Sequence, residues 1–135
     1  MTPSTVRDGL KAAVNISGLR VYDTIPEGLV PPALVVGQIS IEWDTVFARG
    51  LDTGTVDLIL IAGRASDRAA QDLLDGYLAG SGAASIKTKL DAARTLPVAG
   101  TASVSTSNCT SAAPVSVSVS GVDMLAYRFT VSLYG

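Results

Sequence analysis

Residues 55–78, TVDLILIAGRASDRAAQDLLDGYL, join an apolar run, a turn and an amphipathic stretch, and they decide the predicted fold. The run over residues 56–62 is almost continuously apolar, which is typical of a strand covered on both faces, so it predicts the centre of the sheet. Gly63 supplies the turn. Ser66 is the predicted N-cap, and Asp67 puts a negative charge in the first helical turn. The stretch therefore predicts a strand, a turn and a helix.

The predicted helix has one apolar stripe, made of adjacent pairs that recur every four residues. Its members are Ala69, Ala70, Leu73, Leu74, Tyr77 and Leu78, and the opposite face carries Arg68, Gln71, Asp72 and Asp75. Leu73 and Leu74 are the expected anchors of this helix on the sheet. Gly80 and Gly82 are expected to end it, because glycine readily takes the left-handed conformation of a C-terminal cap.

The first quarter of the chain predicts a helix, a short strand and an irregular connection. Thr2 and Pro3 begin the helix as cap and first helical residue, and Ser17-Gly18 ends it. Its apolar stripe consists of Val6, Leu10, Ala13 and Val14. Residues 19–22 alternate like a short strand. Residues 23–32 contain three prolines and a glycine, which excludes a helix or a central strand.

Residues 33–43 predict a long strand because apolar side chains alternate along it. One predicted face carries Val35, Gly37, Ile39, Ile41 and Trp43, and the other carries Leu34, Val36, Gln38, Ser40 and Glu42. Residues 44–55 mix apolar side chains with loop-forming residues and predict a projecting hairpin arm. An ordinary hairpin loop, with Phe47 packed on its own core, fits the same residues equally well.

The last third of the chain predicts a short third helix and a closing hairpin. Ser85 is the expected N-cap of the third helix, and Ile86, Leu90 and Ala93 are expected to face inward. Residues 99–120 are rich in Ser, Thr and Ala: residues 108–114 predict a turn, and residues 115–119 predict a flat polar strand that invites pairing with another chain. The apolar face of the last strand consists of Leu125, Tyr127, Phe129, Val131 and Leu133.

Composition narrows the classes of function. The length of 135 residues fits one domain, and charged residues make up only 16%, against about 25% in typical domains, which indicates a surface covered by partners. The net charge of −2 argues against tight binding of nucleic acid. No apolar run approaches the ~20 residues that span a bilayer, so no membrane partner is expected. No signal-peptide pattern opens the sequence, so a cytosolic origin is expected.

The sequence contains no recognisable group of catalytic, cofactor-binding or metal-binding residues. The chain has no histidine, and its single cysteine, Cys109, can form neither an internal disulfide nor a structural zinc site. Asp72 and Asp75 fall on the predicted solvated helix face. Arg64, just before the predicted cap, is expected to bind an anion or, more often, to pair with Asp67 or a neighbouring subunit. An enzyme is not expected.

Several stretches carry a resemblance to a known family. They are LRVYDTIPEGLVPPALVVG (residues 19–37), DTVFARG (residues 44–50) and LILIAGRASDRAAQDLLDGYLAGSGAASIKTKLDA (residues 58–92). Together they resemble the tail terminator proteins of long-tailed phages that infect actinobacteria, also called tail completion or tail-to-head joining proteins. The likeness covers roughly residues 4–95, and its most specific part is a scaffold motif without catalytic residues.

The resemblance implies an α+β subunit with two helices packed on a mainly antiparallel sheet. Six copies are expected to form a ring on the last ring of the tail tube in the virion, where the ring stops tube growth and offers a surface to the head connector or stopper protein. The candidate interface residues are Val46, Phe47, Arg49, Leu51, Arg64 and Arg68.

DNA is expected to pass through the lumen without specific binding, past acidic side chains. The candidates for this lining are Glu27, Glu42, Asp44 and Asp52. Two alternatives remain open. One is another neck or tail component, such as a head-completion stopper or the tube subunit itself; the other is a small-molecule binding module or enzyme.

Overall fold

The computed structural model describes residues 2–22, 30–43, 52–64, 66–119 and 121–135. Over these residues the chain has an α+β fold with three helices and a five-stranded, mostly antiparallel sheet. The elements are α1 (Pro3–Ala13), β1 (Arg20–Tyr22), β2 (Ala33–Glu42), β3 (Thr53–Arg64), α2 (Arg68–Leu78), α3 (Ile86–Ala92), β4 (Thr106–Val119) and β5 (Val122–Tyr134). The predicted fold class is confirmed. Most of the predicted arm, residues 44–55, lies outside the described residues. Only its last four residues, Asp52 and the first three residues of β3, are described.

The strand order is β1-β2-β3-β5-β4, which places β3 at the centre, as the sequence predicts. Alternate side chains of β3, from Val56 to Ala62, join the core beneath the helices. Ile61 points to the other face and is buried as well. Burial on both faces over residues 60–63 explains why this part of the strand has no polar side chain.

The predicted alternation of β2 is wrong beyond its middle. Leu34 and Val36 belong to the core, and Ile39 packs against the same core, although the sequence pattern places Ile39 on the opposite face. A register shift between Val36 and Ile39 inserts an extra residue, and such a bulge exchanges the two faces for the rest of the strand. Gly37 sits in this bulge, where a Cβ would lie 2.7 Å from the carbonyl oxygen of Asp57.

The helix α2 begins one residue later than predicted. Its N-cap is Asp67 rather than Ser66, because the Asp67 carboxylate accepts a hydrogen bond of 3.0 Å from the Ala69 N–H. Ala70, Leu74 and Tyr77 are its buried residues. Leu73 is 44% exposed, so its predicted role as an anchor is wrong.

The rotation of α2 follows from a close approach to β3. A Cβ at Gly63 would lie 2.7 Å from the Cβ of Ala70, so this glycine lets the helix lie directly against the strand. With Ala70 fixed at the contact, Leu74 and Tyr77 follow at i+4 and i+7 on the same side. Leu73, one residue earlier in the turn, is rotated out of the contact.

The buried residues of the other two helices follow the predicted patterns, but α1 ends at Ala13, before the predicted stop at Ser17-Gly18, and the Thr2 side chain makes no capping hydrogen bond. Val6 and Leu10 of α1 are buried, and Gly9 lies so close to Leu96 that a Cβ at Gly9 would collide with the Leu96 carbonyl oxygen. In α3, the Ser85 hydroxyl accepts a hydrogen bond of 3.2 Å from the Thr88 N–H, as predicted for its cap. Ile86 and Leu90 are buried, and Ala93, just beyond the helix, is half-buried.

The predicted turn at residues 108–114 is wrong. β4 runs without interruption over Thr106–Val119 and pairs with β5 along its whole length, with one bulge between Cys109 and Ser111. Pro114 is tolerated because β4 is an edge strand, where a residue without an N–H on the free side removes no hydrogen bond. Pairing with β5 therefore outweighs the turn preferences of these residues.

The packing of α2 predicts different costs for two adjacent leucines. Leu74→Ala removes a buried side chain from the core, so it should lower the free energy of unfolding by roughly 2 to 5 kcal/mol. Leu73→Ala should cost less than about 1 kcal/mol, because this side chain is largely exposed. Urea denaturation of both variants measures the difference, and equal costs would contradict the observed helix rotation.

A second prediction concerns the contact between α1 and Leu96. Gly9→Ala improves helix propensity by up to about 1 kcal/mol, yet its methyl group collides with backbone. We therefore expect a net loss of about 1 to 3 kcal/mol in the free energy of unfolding. Gly80→Ala is the matched control, since no atom lies within 4 Å of its Cβ position. A Gly9→Ala variant more stable than the wild type would show that α1 does not approach Leu96 this closely.

Candidate functional site

A groove of about 490 Å³ opens at the end of the sheet where β3 leads into α2. Its walls come from four parts of the chain: Pro31 and Pro32 before β2, the last residues of β3, the start of α2 and the start of β5. This is the end of the molecule where the Gly63 turn brings α2 back against the sheet.

The floor of this groove is apolar and open to solvent. Leu73 of α2 is 44% exposed and Val122 of β5 is 38% exposed, and both line the groove together with the half-buried Met124. The large exposed hydrophobic residues of the described chain are Val30, Trp43, Leu73, Val122 and Tyr134. Two of these five meet in one concavity, and apolar surface gathered in a concavity is typical of binding sites.

Two charged side chains of opposite sign flank the groove. Asp67 is exposed and uses one carboxylate oxygen to cap α2. Arg64 is exposed as well. The ion pairs that lie within the described ranges are both made by Asp91, with Lys87 and Arg94, so the expected pair between Arg64 and Asp67 is not formed. The other two expected partners of Arg64, an anion and a neighbouring subunit, stay predictions.

The structure separates the predicted interface residues. Arg64 lines the groove, whereas Arg68, the exposed first residue of α2, is not among its lining residues. Four of the six candidates, Val46, Phe47, Arg49 and Leu51, lie outside the described residues. Of the expected acidic lining, Glu42 is exposed and Asp52 half-buried at the opposite end of β3, and Glu27 and Asp44 lie outside the described residues.

Leu73 and Val122 were not predicted as site residues. The sequence contains a signal for Leu73, namely an apolar stripe of six residues in adjacent pairs. The helix α2 buries only three of these residues, so the stripe leaves apolar side chains, including Leu73, for another contact. For Val122 the sequence indicates only a turn at the start of the last strand. Its place in the groove depends on β5 pairing next to β3, with Met124 opposite Arg64.

The edge strand β4 is a second candidate surface. It occupies one edge of the sheet, and its 14 residues, TSNCTSAAPVSVSV, include no Asp, Glu, Lys or Arg. Natural edge strands are commonly protected from further pairing by charges, prolines or bulges. β4 has one proline and one bulge but no charge, so most of its free backbone edge is open to a partner strand.

The described residues include neither an activated nucleophile nor a metal-binding group. Burial raises the pKa of the Cys109 thiol, and the nearby Asp91 carboxylate adds to this, while Lys87 opposes it. A raised pKa keeps the thiol protonated and weakly nucleophilic. Within the described ranges, no three His, Cys, Asp or Glu side chains are grouped so that they could hold a metal ion. No helix in the described part of the chain is long and apolar enough to cross a membrane.

Comparison with protein-family models and with curated protein sequences finds no match. Function must therefore be inferred from the groove, the β4 edge and the sequence pattern.

The buried thiol predicts a pH dependence of stability. Because the pKa of Cys109 is higher in the folded than in the unfolded state, its contribution is fully present below the unfolded pKa of about 9.0 and is lost as pH rises through the folded pKa. Between pH 8 and pH 10, wild-type protein should therefore lose more free energy of unfolding than Cys109→Ala. Urea denaturation at both pH values measures this, and parallel losses would contradict it.

Proposed function

We propose that this chain is a structural subunit that forms a ring, of six copies, on the end of a phage tail tube. There the ring stops polymerisation of the tube and presents a surface to the head connector or stopper. The observation that carries the proposal is the open edge of β4, which has no charged residue over its 14 positions. The ring of six copies and its place on a tail tube are taken from the resemblance of residues 4–95 to tail terminator proteins.

The argument from β4 is one of hydrogen bonding. An edge strand leaves alternate N–H and C=O groups without a partner in its own sheet, and a strand from another protein satisfies them in one step. Charged side chains would oppose this, and β4 carries none. The low charged share of the whole chain, 16%, agrees with a subunit whose surface is largely covered in an assembly.

A ring also requires that the contact surfaces of a subunit differ from each other. A heterologous contact, in which one surface meets a different surface of the next copy, closes into a ring when the rotation allows. The two edges of this sheet differ strongly, because β4 has 14 residues and β1 only three. An unlike pair of edges supports a directional assembly better than a symmetric dimer.

DNA enters this proposal only as a passing molecule. A basic lumen would hold phosphates by releasing counterions and would slow ejection of the genome, whereas an acidic or neutral lumen does not. The net charge of −2 supports the second case. The ring is therefore proposed to surround DNA without binding it, and no catalytic or cofactor role is proposed.

Another neck or tail component, such as a stopper or the tube subunit itself, would use an open edge in the same way. A small-molecule enzyme or binding module is supported less well, because the described residues that line the groove include no histidine, cysteine or metal-binding set, and its two charged side chains, Arg64 and Asp67, are both exposed. Capping of growing tubes separates these classes, since a tube subunit lengthens tubes and an enzyme leaves them unchanged.

The test adds the protein to polymerising tail tube subunits and measures tube lengths by electron microscopy. We expect shorter tubes with a ring at one end. In Ser116→Pro the ring should be lost while the fold is kept, because Ser116 is two residues from Pro114 and its N–H points to the same free side. Ser116→Ala, which keeps the N–H, is the matched control and should cap normally. Unchanged tube lengths with folded wild-type protein would refute the proposal.

A further inference from the structure

The two ends of β3 carry features that complement each other. At one end lies the groove, with its apolar floor at Leu73 and Val122 between Arg64 and Asp67. At the other end, residues 44–51, DTVFARGL, connect β2 to β3. In this connection two adjacent apolar residues, Val46 and Phe47, stand between an acid and a base, Asp44 and Arg49.

The connection and the groove of one chain are too far apart to meet. Ten residues separate Thr53 from Gly63 along β3, and a strand rises about 3.3 Å per residue, so the two ends are ~33 Å apart. Phe47 is four residues from Trp43, and four extended residues span at most ~14 Å. The apolar part of the connection cannot reach its own groove, so only another copy can supply it.

We propose that the groove of each subunit receives residues 44–51 of a second copy of this chain. Phe47 would fill the apolar floor beside Leu73, where an aromatic ring can bury 150–250 Å² in general. Asp44 would face Arg64, and Arg49 would face Asp67. The second copy as occupant rests on the proposed ring, although the contact itself requires no tail tube.

This contact has the geometry that a ring requires. Residues 44–51 and the groove are joined to opposite ends of β3. Each copy would therefore insert residues 44–51 into one neighbour and bind the same segment of the other neighbour in its own groove. Such a heterologous contact is directional, and it closes into a ring or continues as a filament. It would also remove from water the apolar surface that Leu73 and Val122 expose in the single chain.

The chain's own residues 23–29, DTIPEGL, are the competing occupant. They immediately precede Val30 and the two prolines that line the groove, so they are close to it in sequence. They contain two acids and no base, and therefore supply no partner for Asp67. Residues 44–51 supply both signs of charge as well as an aromatic side chain.

Crosslinking between two differently labelled copies tests the proposal directly. In a Cys109→Ala background, one copy carries Ala48→Cys and the other Ala69→Cys, which is exposed on the wall of the groove. Both substitutions keep Phe47 and Leu73. After mixing and treatment with a short bismaleimide reagent, we expect a covalent dimer in the mixture and none in either variant alone. Gln71→Cys, exposed on the side of α2 opposite the lining residues Ala69 and Leu73, replaces Ala69→Cys as the matched control and should give no dimer.

The side chains that form the contact can be tested in the same assay. Phe47→Ala in the donor copy should lower the dimer yield at least tenfold. Arg64→Glu in the receiving copy should lower it as well, and Asp44→Arg in the donor should restore it, because the two charges are exchanged.

Two results would overturn the proposal. One is absence of the mixed dimer in protein that has assembled and caps tubes, which leaves the proposed function standing. The other is an internal crosslink between Ile25→Cys and Ala69→Cys within single chains of the assembly, which places residues 23–29 in the groove. A mixed dimer from protein that does not cap tubes would support the contact and reject the tube-capping role.

Discussion

The pairing of β3 with a strand on each of its edges is the constraint on which the rest of the structure depends. Antiparallel ladders to β2 and β5 hold it at the centre of the sheet. Its alternate side chains from Val56 to Ala62 supply the core on which the helices pack. At its end, Gly63 lets Ala70 approach closely, so the position of α2 is fixed by the same strand.

The central position of β3 also determines where the molecule is open. With β5 next to β3, the remaining strand β4 has only one neighbour and becomes an edge of 14 uncharged residues. The rotation of α2 that buries Leu74 leaves Leu73 exposed above Val122, which creates the groove. Packing that satisfies the core thus leaves two surfaces that a second protein can complete, and the proposed assembly uses both.

Much of the fold could be predicted from the sequence, because strong local signals agree with the tertiary contacts. The apolar run of β3, the stripe of α1 and the Ser85 cap are examples. The errors arise where a long-range contact, rather than the local sequence pattern, determines the direction of a side chain or the extent of a strand. The bulge near Gly37 exchanges the faces of β2, the contact at Gly63 rotates Leu73 outward, and pairing with β5 makes residues 108–114 part of a strand. The groove could not be predicted for the same reason, since its walls are brought together by sheet order and helix rotation.

The mass of the purified protein in solution tests the central claim, that this chain is a subunit completed by copies of itself. Native mass spectrometry at micromolar concentration measures it without any partner protein. The proposed ring predicts a discrete species of six chains of 13.8 kDa each, with few smaller assemblies. A folded monomer that persists at every concentration up to the millimolar range would contradict the claim, because it would show that the groove and the β4 edge are stable in water without a second copy.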